Sequence, residues 1–281
     1  MTINSSMMDR KILISIFFIF LSFFGLFSLK AEASSVEDSP LTEDEKQYLI
    51  NILKFSEVEV DNLPVEVAKD LVKKEAKIIG EFTETFDMAD AGTSSTLEEI
   101  EVFAISDSDM TFRGKVLALS SSSVSGYDAF YAYVNYDWLN RPYWKITDKI
   151  TIGFPDFLGA YMTTSNGKIT GHHSSHWVYN TNTRTSTTYY TSTTPTDSHP
   201  SAGVSAAFDL YDSISTNHRL QGQVSQYFYV KKTLSGKANV RFEYGHQQVA
   251  FSPNVSIFPS GLGIAPAVGV DTKQWYESFE Y

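Results

Sequence analysis

The spacing of apolar residues changes twice along this 281-residue chain. An almost unbroken apolar run extends from Ile12 to Leu29. Between residues 41 and 77, apolar residues recur every three or four positions, which is typical of amphipathic helices. From Lys77 onward they recur at every second position, which is typical of strands with one buried face. The pattern therefore predicts three successive segments of different structure.

The first apolar run has the layout of a secretory signal. Arg10 and Lys11 precede it, and the small-residue pattern Ala31-Glu32-Ala33 follows it. The run is also just long enough for a retained membrane anchor, but the cleavage pattern favours removal. We therefore predict a signal peptide over residues 1–33, cleavage after Ala33, and a secreted, extracellular protein. Since no second apolar run of that length follows, no transmembrane segment is expected after signal removal.

Residues 34–77 are predicted to form an acidic helical cap. Thr42 and Glu45 have the spacing of a capping box, as do Ser56 and Glu59, and Pro64 suits the first turn of a third helix. The apolar positions expected to be buried are Tyr48, Leu49, Ile52, Leu53, Ala68, Leu71, Val72 and Ala76. Because three short helices cannot bury enough surface by themselves, this cap is expected to dock on the segment that follows.

Residues 78–281 are predicted to form an antiparallel β-sandwich, so the chain as a whole is mainly β. The segment "YDAFYAYVNYDW" alternates strictly, with Phe130 to Trp138 on one face. In "YWKITDKITIGF", the face that runs from Trp144 to Phe154 is apolar except for Asp148. Repeated strands without the spacing of β-α-β units favour the sandwich.

Glycine-containing turns divide these predicted strands. Asn166-Gly167 suits a tight hairpin turn, and "TLSGK" (residues 233–237) predicts a hairpin between two long β-type runs. The stretch from Ser256 to Trp275 holds many Gly and Pro residues. It is interpreted as an irregular edge followed by a closing strand that ends near Trp275.

The helical segment carries a resemblance to a known group of proteins. "LTEDEKQYLINILKFSEVEVDNLPVEVAKDLVKKEAKII" resembles the amino-terminal part of uncharacterised secreted proteins from Gram-positive, spore-forming bacteria, above all from Phe55 to Pro64. A looser similarity continues through "YDWLNRPYWKITDKITIGF". The resemblance implies a signal peptide, a short acidic helical segment and a β-rich domain, and it brings no assigned activity.

Composition narrows the classes of function. The chain has no cysteine, which excludes disulfides, thiolate metal sites and a cysteine nucleophile. It is acidic, with 33 Asp and Glu residues against 22 Lys and Arg residues and a net charge of −11. Since nucleic-acid binders present a basic surface, no nucleic-acid partner is expected. The acidity itself is interpreted as a means of keeping an exported protein soluble.

The segment "GHHSSHW" (residues 171–177) holds three of the six histidines. On a strand, His172 and His176 share a face but lie about 13 Å apart, and His173 points to the opposite face with Trp177. Two ligands of one zinc ion each lie about 2 Å from it, so these histidines do not form a site by themselves. The candidates for a metal or hydrolytic site are the sequence-distant Asp148, His172, His176 and His246.

Other catalytic patterns are missing from the sequence. No G-x-S-x-G, P-loop or H-E-x-x-H motif occurs. Asp148, on the apolar face of its strand, is interpreted as a bulge residue or as a partner of a backbone turn; as the alternative, burial would raise its pKa and make it a candidate acid. We therefore expect no bound metal or cofactor and no enzymatic activity.

The segment "TNTRTSTTYYTSTTPT" (residues 181–196) is unusually rich in hydroxyl groups, with 11 Ser or Thr among 16 residues. It is interpreted as an exposed hairpin or as a polar binding surface. The aromatic residues proposed for that surface are Trp177, Tyr179, Tyr189 and Tyr190. The insertion hairpin of a pore-forming toxin is a third interpretation, which the sequence disfavours because neither face is apolar over the required length.

The sequence thus predicts a secreted, non-enzymatic binding or surface-interaction protein. Its expected partner is an extracellular protein, a glycan or a cell-surface component. An extracellular hydrolase with a site assembled from scattered Asp and His residues is the alternative, and a β-pore-forming toxin-like protein is a minor one.

Overall fold

In the described part of the chain, three helices precede the strands, as the apolar spacing predicts. They are α1 (Glu43–Asn51), α2 (Glu57–Asn62) and α3 (Val65–Lys73). Both capping boxes form, since the Thr42 and Ser56 side chains each accept a hydrogen bond from the third residue of the following helix, whose glutamate bonds back to the cap backbone. The computed structural model describes residues 39–86, 109–142, 144–212, 215–248, 253–267 and 269–281, so the predicted signal peptide and its cleavage site lie outside the described residues.

The apolar side of the helical cap packs on a sheet. The buried side chains of the cap that share one cluster with the sheet are Leu49, Leu53, Phe55, Val60, Leu63, Ala68, Leu71 and Ala76. Across from them lie Leu117, Tyr131, Tyr133 and Tyr229. The prediction for Ile52 is wrong: its side chain is 52% exposed, because Ile52 is the C-cap at which the chain leaves α1.

The described strands, in chain order, are β1 (Lys77–Phe86), β2 (Met110–Leu119), β3 (Tyr127–Trp138), β4 (Thr147–Gly153), β5 (Thr164–Ser165), β6 (Lys168–Ile169), β7 (His172–Asn180), β8 (Thr185–Ser192), β9 (Asp197–His199), β10 (Gly203–Asp209), β11 (His218–Lys231), β12 (Lys237–Gln247), β13 (Val255–Phe258), β14 (Gly261–Ile264) and β15 (Val270–Glu280). A short 3-10 helix, Asp156–Leu158, follows β4.

These strands form two large antiparallel sheets. A six-stranded sheet has the order β1-β2-β3-β11-β7-β8, and a five-stranded sheet has the order β15-β12-β4-β10-β9. One apolar cluster joins them: the rings of Phe82 and Phe242, from opposite sheets, lie 5.5 Å apart, and those of Phe112 and Tyr244 lie 6.0 Å apart. The fold is therefore mainly β, and the helical cap covers the other face of the six-stranded sheet.

Two turn predictions have different outcomes. The Asn166-Gly167 turn forms the small hairpin of β5 and β6, with positive φ at both residues. The hairpin predicted at "TLSGK" is wrong, because β11 pairs with β3 and β7, whereas β12 pairs with β4 and β15. This connection carries the chain from one sheet to the other.

The sequence places the ends of two strands inaccurately. The strand predicted from Trp144 begins only at Thr147, and Trp144 is exposed. The closing strand β15 extends five residues beyond Trp275, to Glu280, after the small hairpin of β13 and β14. In the described part of the chain, no helix is long and apolar enough to cross a membrane.

Candidate functional site

Strand β7 divides the histidine cluster between two environments. It lies between β11 and β8, and its successive side chains alternate between the two faces of the sheet. His176 faces the opposite sheet, where its ring stacks 3.7 Å from that of Phe208. His173 faces the helical cap and lies near Glu66 of α3. The strand that the sequence analysis considered for this segment is therefore present.

His176 is buried among aromatic rings, and His172 is buried at the start of β7. Nδ1 of His176 is hydrogen-bonded to the hydroxyl of Tyr136 at 3.2 Å. Burial, and then the nearby histidines, lower the pKa of His176 well below its ordinary value. Burial and the neighbouring His173 likewise lower the pKa of His172 to about 3. Both imidazoles are therefore neutral at pH 7.

Asp148 and His246 form a buried pair at one end of the sandwich. Nδ1 of His246 lies 2.8 Å from Oδ1 of Asp148, and the two side chains are 0% and 3% exposed. Tyr244 donates its hydroxyl hydrogen to the same carboxylate, and Trp138 donates its indole N–H to the Tyr244 oxygen at 2.9 Å. The backbone N–H of Gln247 completes the shell of Asp148 at 3.3 Å.

The pair has a defined electrostatic character. Burial lowers the pKa of His246, but the charge and hydrogen bond of Asp148, with help from Asp271, outweigh burial and raise it above the ordinary value. Asp148 is on the inner face, as its position in the apolar pattern predicts. Its principal partners are the side chains of Tyr244 and of His246, a fellow candidate from the sequence.

The four sequence candidates do not assemble as one site. Asp148 and His246 contact each other, whereas His176 packs against Tyr136 and Phe208 and His172 lies at the start of β7. Within the described ranges, no group of three or more His, Asp or Glu side chains is placed to hold a metal ion.

The four aromatic candidates for a binding surface also differ in position. Trp177 is 1% exposed and donates its indole N–H to Gln221 at 2.8 Å, so it does not reach the surface. It pairs in register with Thr188, whose hydroxyl donates to Asn62 at the end of α2. Tyr179 and Tyr189 are half-buried, and Tyr190 is exposed. Tyr189 and Tyr190 line one depression on the inner side of β8.

A groove separates the helical cap from β7 and β8. One depression of about 460 Å³ is lined by Asp61, Asn62, Leu63, Pro64, Glu66, His173, Ser175, Thr188, Thr191, Ser192 and Thr193. An adjoining depression of about 400 Å³ shares Glu66, His173 and Thr193, and adds Tyr131, Lys168, Thr170 and Tyr227 among others. We call these two depressions the hydroxyl groove, because Ser and Thr side chains from β7, β8 and the segment after β8 line most of one wall.

Asn62 fixes the opposite wall of the hydroxyl groove. Its side-chain N–H donates to Ser186 at 2.9 Å, and its side-chain oxygen accepts from Thr188 at 2.9 Å. Gln223 donates to the Asn62 carbonyl at 2.9 Å. The end of α2 is therefore hydrogen-bonded to both β8 and β11, which makes the groove a fixed feature of the fold. Sequence reasoning did not find Asn62, since its partners are more than 100 positions away.

His173 lies where the two depressions meet. Its side chain is 8% exposed, and Nδ1 has no hydrogen-bond partner among the described residues. Burial lowers the pKa of His173 to about 4, although the carboxylate of Glu66 acts in the opposite direction. The groove is thus lined by a neutral imidazole whose buried Nδ1 has no partner among the described residues, by several hydroxyl groups and by two carboxylates.

Comparison with known proteins adds little. No protein-family model and no curated protein matches this sequence. Among solved structures, it aligns with a chain described as "AvmM Catalyzes Macrocyclization in Alchivemycin A Biosynthesis" at 12% identity, covering 66% of this chain and 95% of that one. The TM-score of 0.24 is too low to support an inference about fold or activity.

Proposed function

We propose that this protein is a secreted, non-enzymatic binding protein of a Gram-positive bacterium, and that the hydroxyl groove binds an uncharged glycan. The observation that carries the proposal is the buried, neutral His173 with an unpartnered Nδ1 at the centre of the groove. A buried polar atom without a partner is costly. On this proposal, binding brings a sugar hydroxyl to the buried imidazole and supplies the donor that its Nδ1 lacks.

The composition of the groove favours a ligand that is polar but not anionic. Hydroxyl side chains both donate and accept hydrogen bonds, as sugar hydroxyls do. Asp61 and Glu66 supply acceptors, and Lys168 is the cation among the lining residues. With a net charge of −11 on the chain, an anionic polymer is repelled.

The groove is also preorganised. Thr188 and Thr191 project from an ordered strand, and β-branched side chains have few rotamers to lose on binding. Asn62 holds Thr188 in place by a hydrogen bond. Preorganisation of this kind favours binding because fewer side chains must be ordered by the ligand.

An extracellular hydrolase is the second candidate, and the hydrogen bond between Asp148 and His246 favours it. A carboxylate beside a histidine is the arrangement that orients a general base. Both side chains are buried within the sandwich, however, and neither lines the hydroxyl groove. The binding proposal therefore has the better support, because its polar groups border an open space.

The proposal is tested by titrating the mature chain with neutral and anionic oligosaccharides in calorimetry. We expect a neutral glycan to bind, and His173→Ala to weaken its binding by about tenfold, which corresponds to one hydrogen bond to a buried group. His199→Ala is the matched control, since His199 is exposed and outside the groove. Binding of anionic glycans alone, or equal affinity of the His173→Ala variant, would contradict the proposal. Release of reducing ends during incubation would favour the hydrolase instead.

A further inference from the structure

A third depression lies on the inner side of β8 and does not belong to the hydroxyl groove. It has a volume of about 280 Å³ and is lined by Thr147, Tyr189, Tyr190, Ala207, Phe208 and Asp209. We call it the tyrosine pocket. It lies beside the paired ends of β4 and β10, where Thr147 and Asp209 are register partners.

A bulge places two tyrosines in this pocket. The pairing of β7 and β8 shifts after His176, so that His176 pairs with Tyr190 and Trp177 pairs with Thr188. The extra residue of β8 is Tyr189. Because a bulge interrupts the strict alternation of side chains, the adjacent Tyr189 and Tyr190 both border the same depression. The bulge therefore places two tyrosine side chains next to each other at the edge of the sheet.

The rings that line the pocket pack against other rings of the protein. Phe208 stacks on the imidazole of His176 at 3.7 Å and on Tyr136 at 5.3 Å. The ring of Tyr189 lies 5.3 Å from that of Tyr211. Tyr190 is 41% exposed, so its ring is accessible to a ligand. Burial keeps the pKa of His176 low, and no positive charge therefore arises beneath Phe208 at neutral pH.

The pocket also carries a negative charge. The Asp209 carboxylate accepts a hydrogen bond from the Thr147 hydroxyl at 2.6 Å, and no Lys or Arg within the described residues forms an ion pair with it. Lys145, on the preceding loop, is paired with Asp212 at 2.9 Å. Burial raises the pKa of Tyr189 to about 12, and the charges of Asp148 and Asp209 act in the same direction. Tyr189 therefore lies in the negative field of two carboxylates.

From this geometry we infer that the tyrosine pocket binds a small organic cation with a quaternary ammonium group. The face of an aromatic ring attracts cations, and several rings around one cavity are the usual receptor for tetraalkylammonium groups. Asp209 supplies the countercharge at the rim. The Asp209 carboxylate attracts a cation but not a neutral sugar. Binding at the tyrosine pocket is therefore independent of glycan binding in the hydroxyl groove.

Tetramethylammonium chloride and choline chloride are the probes, titrated into the mature chain and followed by calorimetry and by the NMR signals of the tyrosine rings. We expect saturable binding that weakens as salt is added, because the attraction is electrostatic. Tyr190→Ala and Asp209→Asn should each weaken the binding by about fivefold or more. Both side chains are at the surface of an edge strand or a strand end, so neither change disturbs the core.

Two controls make the result decisive. Tyr276→Ala removes a tyrosine of the same 41% exposure on β15 and should leave the affinity unchanged. 3,3-Dimethylbutan-1-ol has the shape of choline without its charge and should bind much more weakly. Equal affinity for this alcohol, absence of saturation, or unchanged affinity in Asp209→Asn would overturn the inference. None of these outcomes depends on whether the hydroxyl groove binds a glycan.

Discussion

Lys115 of β2 donates a hydrogen bond from its ammonium group to the backbone carbonyl of Leu53, 2.8 Å away, just after the C-cap of α1 in the helical cap. The same ammonium contacts the carbonyl of Lys54, lies 3.3 Å from Glu81 and lies 4.7 Å from the Phe55 ring. The Lys115 side chain is buried, and burial lowers its pKa, although Glu59 and Glu81 act in the opposite direction. The Lys115 ammonium of the sheet is therefore hydrogen-bonded to backbone carbonyls of the helical cap, next to the apolar contact that the Leu53 side chain makes.

The first prediction concerns this junction. We expect Leu53→Asp to lower the free energy of unfolding of the mature chain by at least about 3 kcal/mol, because it removes a buried side chain and places a charge in the contact. Ile52→Asp is the matched control: Ile52 is exposed and its replacement should cost less than about 0.5 kcal/mol. Urea denaturation followed by tryptophan fluorescence measures both. A chain lacking residues 34–77 that melts at the same temperature as the mature protein would contradict this account of the cap.

The second prediction concerns acid sensitivity. An unfolded histidine takes up a proton near pH 6.5, whereas burial lowers the pKa of His173 to about 4 in the folded chain. Between these values the unfolded chain binds more protons, so stability falls as the pH is lowered from about 7 to 4. For His173 the loss is on the order of 3 kcal/mol at most. Denaturation at a series of pH values should show a smaller slope for His173→Gln than for His199→Gln. Equal slopes would refute the burial of His173.

The third prediction concerns the buried pair. Asp148→Asn removes the charge that raises the pKa of His246, so the pKa of His246 should fall, as NMR titration of the imidazole will show. The variant should also lose about 3 kcal/mol of stability, because it removes the Asp148 carboxylate and leaves its buried partner His246 in place. Asp137→Asn serves as the comparison, because Asp137 is in the other sheet and pairs with Arg219 at 3.4 Å. An unchanged His246 titration would mean that the pair does not form.

The fourth prediction concerns metals. We expect chelation with EDTA to leave the thermal midpoint unchanged, because Asp148 and His246 are bound to each other while His176 packs on Phe208. A metal that stabilised the fold would make unfolding depend on its concentration. Differential scanning calorimetry with EDTA and with added zinc measures this. A lower midpoint in EDTA, restored by zinc, would reinstate a metal site.

The fifth prediction concerns export. The basic residues, apolar run and Ala31-Glu32-Ala33 pattern lead us to expect a chain in the culture supernatant that begins at Ser34. Amino-terminal sequencing of the supernatant and membrane fractions checks it. Recovery of an intact Met1 start on a membrane-bound product would be incompatible with secretion.

The sequence by itself determined the features that depend on near neighbours along the chain. Thr42 with Glu45 and Ser56 with Glu59 are three positions apart, and both capping boxes form where the spacing places them. The Asn166-Gly167 turn forms for the same reason. The alternation from Phe130 to Trp138 also identified one buried face of β3, because the period of two is a property of a single strand. Capping boxes, tight turns and strand alternation depend on residues close together in the sequence, so they can be predicted without knowing which distant segments pack against them.

Only the tertiary structure decided which distant segments meet. The runs joined by "TLSGK" belong to different sheets, and a turn signal does not distinguish a hairpin from a crossing between sheets. Asp148 was recognised as an inner-face residue, but its partner His246 is 98 positions away. His173 borders a groove because Glu66 and Asn62 of the helical cap lie across from it, and Trp177 is buried and hydrogen-bonded to Gln221. Such contacts depend on how whole faces pack to bury apolar area, and the spacing of residues along one strand does not contain that information.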